Sequence, residues 1–295
     1  MPELSNRATV FAKLSPTQKA AVIAALQRRG HVVGFLGDGI NDGPALKSAD
    51  VGISVDSAVD IAKESADIIL LEKSLLVLDE GVIEGRKVFG NIVKYIRMGA
   101  SSNLGNMLSV VGASAWLPFL PMAPIQVLTN NLLYDFSQTA IPTDNVDEEY
   151  LAQPRRWEIN NIARFMLVMG PVSSLFDYVT YATMYYVFSA NVVGKAALFQ
   201  TGWFVELLLS QTLIIHIIRT DRVPFVQSRA STALILTSLT ICAVGVWLPF
   251  SPVAHALGFT PLPLQYFAYV TAILIGYLSL ARLTKVWFQR RFGVA

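Results

Sequence analysis

Apolar segments long enough to cross a lipid bilayer as helices follow one another along the chain from Ile96 onward. A helix needs about 20 residues to span the hydrocarbon core of a membrane, and six segments are near that length. Short polar breaks separate them. We therefore expect residues 96–285 to form an all-α membrane domain of six helices. The predicted spans are residues 96–117, 124–142, 162–188, 200–218, 231–250 and 263–284.

The charged residues divide the chain into two parts. Residues 1–97 contain 12 basic and 12 acidic side chains, whereas the other 198 positions contain 11 and 9. The first part has the composition of a soluble domain and the second does not, which excludes a wholly soluble protein. The formal net charge of +2 leaves no basic surplus for a phosphate backbone, so a nucleic-acid-binding protein is excluded as well.

The basic residues between the predicted spans favour one orientation in the membrane. They cluster in the second and fourth breaks and after the last span, and the other breaks contain only Lys195. Loops rich in lysine and arginine stay on the cytoplasmic side. We expect a multi-pass protein of the inner (plasma) membrane with both termini in the cytoplasm, residues 286–295 being a cytoplasmic tail. The orienting residues are Arg155, Arg156, Arg164, Arg219, Arg222, Arg229, Lys285, Arg290 and Arg291.

Amides and one carboxyl group interrupt the first two predicted spans, where polar groups are costly and informative. Asn103 and Asn106 are three residues apart and share one helix face. Asn131 and Asp135 are four apart and share a face of the next helix. Opposed across a helix pair, these faces would direct oxygen ligands to one point, as hard divalent cations require. The alternative is that the asparagines only join helices by hydrogen bonds.

Three other ionisable residues fall within the later spans. They are Asp177, Glu206 and His216, and Glu206 could face the interior of the bundle together with Ser210. A buried carboxyl group can instead be protonated and hydrogen-bonded for purely structural reasons. Both interpretations stay open for these residues.

Strands alternate with helices ahead of the membrane domain, which predicts a parallel α/β sheet within residues 1–73. HVVGFLGDG is typical of a strand that runs into a glycine turn, and VGISV of a second strand. Ligands of such sheets bind beyond the carboxyl ends of the strands. The residues there match neither the dinucleotide fingerprint nor a P-loop. They are Gly37, Asp38, Gly39, Asn41 and Asp42.

Asp38 and Asp42 bring two carboxylates into one strand-to-helix turn. Without a cation they would repel each other, and the oxygen ligands around them suggest Mg²⁺. Phosphoryl transfer also needs a fixed positive group, and Lys19 lies in the first turn of the preceding predicted helix. The turn therefore predicts magnesium-assisted chemistry on a phosphoryl group.

Several segments resemble the P-type ATPases. FLGDGINDGPALKSADVGISV resembles the hinge motif of that family, and VFAKLSPTQKAAVI resembles the lysine motif upstream of it. IVKYIRMGASSNLGN and PIQVLTNNLLYDFSQTAIP resemble its fifth and sixth transmembrane helices. LPFLPMAPIQ and GPVSSLFDYV are most similar to the bacterial magnesium-importing subclass. The resemblance implies a partial phosphorylation domain of the haloacid-dehalogenase-like α/β fold, followed by the last six helices of a pump.

The resemblance also implies roles for the residues of the turn. Asp38 would bind the Mg²⁺ that accompanies phosphoryl transfer, with Asp42 and Asn41 completing that site. Lys19 would contact the phosphoryl group. The residues expected to bind the cofactor are Lys19, Gly37 and Gly39.

In the membrane, the resemblance implies that Asn103 or Asn106, together with Asn131 and Asp135, lines the site of the transported ion. Asn106 stands where the calcium pumps of the family carry a glutamate, and Tyr134 where they carry a threonine. Because fewer carboxylates remain, a single Mg²⁺ is favoured over the alternative, Ca²⁺.

The family implies Mg²⁺ and ATP as cofactors, yet no DKTGT-type sequence for the phosphorylated aspartate occurs here. We therefore expect the chain to be the C-terminal part of a longer pump and to be inactive alone, with the nucleotide-binding domain elsewhere. Two other functions stay open. One is a membrane-tethered phosphatase of the haloacid-dehalogenase type, and the other is a non-catalytic membrane accessory protein.

A stalk helix is expected between the two parts of the chain. The segment from Ser74 to Asn106 contains apolar residues at helical spacing and no proline. As one helix it would be on the order of 50 Å long. Residues 74–95 would form the stalk, and movement of the helix as a unit would couple phosphoryl chemistry to the ion site.

Overall fold

The computed structural model describes residues 9–293 of the chain. It contains two compact units, an α/β unit, Met1–Glu84, and a helical unit, Gly85–Ala295. The predicted combination of a small parallel sheet with a mostly helical remainder is confirmed in these coarse terms.

Three parallel strands form the sheet of the α/β unit. They are β1 (Gly34–Leu36), β2 (Val51–Val55) and β3 (Ile68–Leu70), in the order β1-β2-β3. Its helices are α1 (Pro16–Gln27), α2 (Gly43–Ser48) and α3 (Asp60–Ser65). Apolar side chains from the strands and from α2 and α3 make one small core. That core contains Leu46, Ile53, Val55, Ala58, Ala62 and Leu70.

Helix α1 begins where the sequence predicts, because Ser15 and Gln18 form a capping box. The backbone N–H of Gln18 donates to Ser15 Oγ at 3.3 Å, and the backbone N–H of Ser15 donates to Gln18 Oε1 at 2.8 Å. Pro16 occupies the first turn, where its missing N–H leaves no intrahelical bond unmade. Gly30 follows the helix in the left-handed region, with φ 83°. These signals place Lys19 in the first turn of α1.

The long helix predicted around Ser74–Asn106 is present as α4, Leu75–Ser114. It is continuous over 40 residues, which corresponds to about 60 Å at 1.5 Å per residue. The boundary between the two units falls within this helix.

Up to residue 293, the helical unit continues after α4 with seven further α-helices. They are α5 (Pro124–Gln138), α6 (Glu148–Leu151), α7 (Ile159–Ala182), α8 (Ala196–Leu213), α9 (Ile215–Ile218), α10 (Thr232–Trp247) and α11 (Leu264–Phe292).

Among the described residues, four helical segments are long and apolar enough to cross a membrane. They are Ile159–Val187, Val193–Ile218, Thr232–Phe250 and Leu264–Phe292, and they coincide with the last four predicted spans. The first two predicted spans lie on α4 and α5. Helix α5 has only 15 residues, between Pro124 and Gln138. The number of spans thus supported by length and composition is four.

Helix α8 lies at the centre of the helical unit. In its most apolar window 89% of the residues are buried, against about a third in the other three candidate spans. Its neighbours α5, α7, α10 and α11 pack around it. Polar side chains on α8 therefore face protein on nearly every side.

Helices α4 and α7 approach closely at a pair of glycines. A Cβ atom on Gly105 would lie 3.1 Å from the backbone oxygen of Gly170. Ser174 Oγ donates to the backbone oxygen of Gly105 at 2.8 Å, and Tyr178 OH donates to that of Leu108 at 2.7 Å. Small residues and interhelical hydrogen bonds of this kind hold helices together where no hydrophobic force acts between them.

Candidate functional site

The turn after β1 is held in place by the neighbouring strand. The backbone N–H of Gly37 donates to Ile53 O at 3.0 Å, and the buried hydroxyl of Ser54 donates to Gly37 O at 2.8 Å. A short 3₁₀ segment, Ile40–Asp42, leads directly into α2. The carboxyl end of β1 therefore presents its polar residues on a fixed backbone.

Asp42 is the most constrained side chain of this turn. Its Oδ1 accepts a hydrogen bond from Lys19 Nζ at 2.6 Å, and its Oδ2 accepts one from the backbone N–H of Gly39 at 3.1 Å. The carboxylate lies directly over Gly37, where an added Cβ would be 2.6 Å from the Cβ of Asp42. Only glycine leaves room for this approach.

Asp42 is ionised in this arrangement. Its burial raises the pKa of the carboxyl group, but the hydrogen bonds from Lys19 and from the N–H of Gly39 outweigh that effect. The pKa of Asp42 consequently lies below its ordinary value. The turn thus holds a carboxylate and an ammonium group in direct contact.

Asp38 is far less constrained. Its Oδ2 accepts a hydrogen bond from Lys73 Nζ at 3.0 Å, but the side chains of Asp38 and Lys73 are 57% and 70% exposed. Exposed ion pairs contribute little to stability. Asp38 can therefore exchange Lys73 for another cation at small cost.

Four of the predicted residues line one open cleft with a volume of about 520 Å³. The structure thus brings Lys19, Gly37, Asp38 and Asp42 together, although Lys19 is paired with Asp42. Gly39 contributes its N–H to Asp42, and Asn41 is exposed on the same turn.

The donor set of the cleft fits Mg²⁺, a hard ion that is usually held by one or two carboxylates, waters and phosphate oxygens. Within residues 9–293, no group of three or more His, Cys, Asp or Glu side chains could hold a metal ion. Asp38 and Asp42 are the acidic side chains that line the cleft and could contribute oxygen ligands to a divalent cation.

The predicted ion ligands of the helical unit differ in their exposure. Asn103, Asn131 and Asp135 are exposed, whereas Asn106 is half-buried. The buried face of α5 carries Asn130 instead. The set of four stays a prediction, and within the described residues only Asn106 joins a polar cluster of the interior.

That interior cluster is built from three amides on three helices. Gln211 Nε2 on α8 donates to Asn106 Oδ1 on α4 at 2.9 Å. Asn130 Nδ2 on α5 donates to Gln211 Oε1 at 3.3 Å. We call Asn106, Asn130 and Gln211 the amide cluster. Its hydrogen bonds join three helices, which is the alternative role that the sequence predicts for the asparagines.

Gln211 was not among the residues predicted from the sequence. The signal that could have identified it is a single uncharged amide near the end of the apolar run GWFVELLLSQ. Beside the amide cluster, Tyr134 OH on α5 donates to Ser102 Oγ on α4 at 3.1 Å. Asp135 and Asn103 are the next residues of the same two helices, so they flank this contact in sequence.

The exposed polar side chains on α4 and α5 restrict what this face of the two helices can contact. A carboxylate and amides facing hydrocarbon are costly, and residues of this kind almost always face protein or a water-filled cavity. Asn103, Asn131 and Asp135 are therefore expected to face protein or water rather than lipid.

Comparisons with known proteins cover both units of the chain. A sequence model described as "Cation transporting ATPase, C-terminus" matches residues 119–287. The chain is 57% identical over 291 residues to the "Magnesium-transporting ATPase, P-type 1" of Salmonella typhimurium strain LT2, which is 99% of this chain and 32% of that protein. It is also 57% identical over 293 residues to the protein of the same name from Escherichia coli K12, covering 99% of this chain and 33% of that protein.

A more distant relative carries a different ion in its name. The "Calcium-transporting ATPase" of Bacillus subtilis strain 168 is 30% identical over 261 residues, which is 85% of this chain and 29% of that protein. The chain spans about a third of the length of the relatives it matches. Since the sequence model covers more than half of its residues, the chain belongs to the family of cation transporting ATPases, in the part described as the C-terminus.

Proposed function

We propose that this chain serves as the C-terminal part of an ATP-driven pump of the P-type, and that the pump carries Mg²⁺ into the cell. The observation that carries the proposal is the 57% identity to P-type magnesium-transporting ATPases over 99% of the chain. Because that identity spans both units, the cleft at β1 and the polar residues of α4 and α5 would serve one transport cycle.

In this proposal the α/β unit is a haloacid-dehalogenase-like half-domain that handles a phosphoryl group derived from ATP. Asp38 and Asp42, with Asn41, would hold the Mg²⁺, which supplies positive charge to phosphoryl oxygens when it is bound. The open cleft lined by both aspartates supports this role. The phosphorylated aspartate would come from the part of the pump that this chain does not span.

Lys19 would donate to a phosphoryl oxygen and stabilise the charge that develops on it. Its position supports the proposal, because the 2.6 Å bond to Asp42 orients the ammonium group toward the cleft. Asp42 is oriented in turn by the N–H of Gly39. A donor held in advance needs no reorganisation during the reaction.

In the helical unit we propose that Asn103, Asn131 and Asp135, with Asn106, line the path of the transported ion. The exposure of the first three and the cost of leaving them in lipid support this assignment. Segments of the longer pump would cover the face and complete the ligand set. Carboxylate and amide oxygens suit a hard divalent cation.

The test is phosphoenzyme formation by the longer pump, with Asp38→Asn compared with Asp60→Asn. Asp60 is also an aspartate of the α/β unit, but its side chain is 93% exposed, and its ion pair in the described structure is with Lys63 on the same helix. We expect Asp38→Asn to abolish Mg²⁺-dependent phosphorylation and Asp60→Asn to leave it unchanged.

Normal phosphorylation of the Asp38→Asn pump would contradict the proposal. So would hydrolysis of a phosphate ester by this chain alone that is lost in Asp38→Asn, because that result would favour a membrane-tethered phosphatase.

A further inference from the structure

A pair of carboxyl groups lies in the interior of the helical unit, apart from both candidate sites. Asp177 on α7 and Glu206 on α8 are each 1% exposed. Their side chains interact directly with each other. On α8, Glu206 is five positions from Gln211 of the amide cluster, so the pair is a separate polar site.

Asp177 is surrounded by hydrogen-bond donors. Trp203 Nε1 donates to its Oδ1 at 2.9 Å, and Ser109 Oγ donates to its Oδ2 at 2.6 Å. An indole N–H can only donate, so Oδ1 must accept. Donors to both oxygens favour the ionised form of a carboxyl group. The negative charge of the pair is therefore best accommodated on Asp177.

Glu206 is in the opposite situation. In the described part of the chain its Oε2 is buried without a hydrogen-bond partner. An ionised oxygen left in this state in an apolar interior is strongly unfavourable. Glu206 is consequently the member of the pair that is suited to be protonated. Its O–H group can then donate a hydrogen bond to Asp177.

The groups packed around the pair supply no positive charge. Within residues 9–293, no lysine, arginine or histidine forms an ion pair with Asp177 or Glu206. Two adjoining carboxyl groups without a cation cannot both ionise, and they titrate as one unit. In the described part of the chain, the other titratable groups near them are Tyr178 and Tyr181 on α7 and Tyr266 and Tyr277 on α11.

Two buried hydroxyl groups lie in the same interior as the pair. Thr180 lies beside Glu206, and its hydroxyl is fully buried. The hydroxyl of Tyr181 is likewise buried, and it has no hydrogen-bond partner in the described structure. The hydroxyl of Thr180 could donate to an ionised Glu206.

We propose that Asp177 and Glu206 form a proton-binding site that holds one shared proton, carried by Glu206 at neutral pH. The protonated carboxyl group of Glu206 donates to the carboxylate of Asp177, so the pair keeps one negative charge. Release of the proton would leave two negative charges, and it therefore requires water or a cation to reach the pair. This inference does not depend on the proposed transport function.

Infrared spectroscopy of the purified chain in phospholipid vesicles tests the proposal. We expect a protonated-carboxyl C=O band at neutral pH that disappears in Glu206→Gln. The matched control is Glu158→Gln, since Glu158 is exposed at the start of α7. That variant should keep the band. Absence of the band from the unaltered protein, or its persistence in Glu206→Gln, would overturn the proposal.

A comparison of Asp177→Asn with Glu206→Gln identifies the group that carries the proton. Glutamine is neutral and can donate to Asp177, so Glu206→Gln should keep the melting temperature of the unaltered protein. Asp177→Asn should lower it, because an amide offers one oxygen to the two donors, Trp203 and Ser109. The infrared band should persist in Asp177→Asn at a shifted frequency. The reverse order of melting temperatures would refute the assignment to Glu206.

Discussion

Asp42 determines the geometry of the turn after β1. Its two oxygens accept from Lys19 and from the N–H of Gly39, and its Cβ occupies the space above Gly37. The motif GDGIND predicts a carboxylate pair, but the residues alone do not reveal that the two aspartates differ. Asp42 is buried and ion-paired, whereas Asp38 is exposed. That difference depends on α1, which brings Lys19 to Asp42 from a distant part of the sequence.

Asp42→Asn should destabilise the protein in a pH-dependent manner. Because the pKa of Asp42 in the folded chain lies below its ordinary value, the ionised group stabilises the fold above that value. The stabilisation is lost as the pH falls from about 3.8 toward the lower pKa of the folded state. We expect Asp42→Asn to lower the free energy of unfolding at pH 7 by about 1 kcal/mol, which would be seen as a lower melting temperature.

The difference in melting temperature between Asp42→Asn and the unaltered protein should shrink in acid. Lys19→Met serves as the control, because it removes the same ion pair from the other side. A difference that stays constant from neutral to acidic pH would show that the charge of Asp42 does not matter.

Gly37→Ala should disrupt the turn sterically. Its Cβ would lie 2.6 Å from the Cβ of Asp42, and overpacking of this kind costs about 1–3 kcal/mol. The matched control is Gly34→Ala in β1, whose Cβ would be 3.9 Å from Val51 O. Chemical unfolding monitored by far-ultraviolet circular dichroism would measure the stability of both variants. Equal stability of the two variants would contradict the close approach of Asp42 to Gly37.

At the scale of elements, a buried carboxylate joins three parts of the helical unit. Asp144, in the loop between α5 and α6, accepts from Lys94 Nζ of α4 at 2.8 Å and from Arg219 Nε, after α9, also at 2.8 Å. The backbone N–H of Ser231, at the start of α10, donates to its other oxygen at 3.0 Å. Burial raises the pKa of Asp144, but Lys94 and Arg219 lower it below its ordinary value.

Asp144→Asn should therefore destabilise the helical unit by about 3 kcal/mol or more at neutral pH, because it leaves two buried cations without their counter-charge. The stabilisation by Asp144 should disappear as the pH falls below its ordinary value of 3.8. Thermal unfolding in detergent would measure this loss of stability. Glu149→Gln is the control, since Glu149 forms an ion pair with Arg222 that is largely exposed. A loss no larger than that of the control would contradict the role of Asp144.

The elements themselves are largely predictable from local signals. Ser15, Pro16 and Gln18 mark the start of α1, and the absence of proline after Ser74 predicts the long α4. The faces are not predictable in the same way. Helical spacing pairs Asn131 with Asp135 on one face of α5 but leaves open which face is buried. Contacts with distant partners decide this, because Asn130 bonds to Gln211 and Tyr134 bonds to Ser102.

At the scale of the whole molecule, the proposed function places a phosphoryl-handling turn and a polar face of α4 and α5 in one pump. The family match and the 57% identity to magnesium-transporting relatives support that union. Chemistry at the cleft would reach the membrane through α4, which is one continuous helix of 40 residues. Two glycines introduced near Phe89 should then leave phosphorylation of the longer pump intact and abolish its transport. Unaltered uptake would contradict coupling through the helix.

We propose that the exposed face of α4 and α5 binds the transported ion, and the decisive measurement is Mg²⁺ uptake by vesicles containing the longer pump. Asp135→Asn is compared with Thr139→Ala, because Thr139 is exposed just after α5 and its hydroxyl bonds to Phe136 O. We predict that Asp135→Asn abolishes uptake and ion-dependent phosphorylation, and that Thr139→Ala retains both. Uptake by Asp135→Asn at the unaltered rate would show that this face does not bind the transported ion.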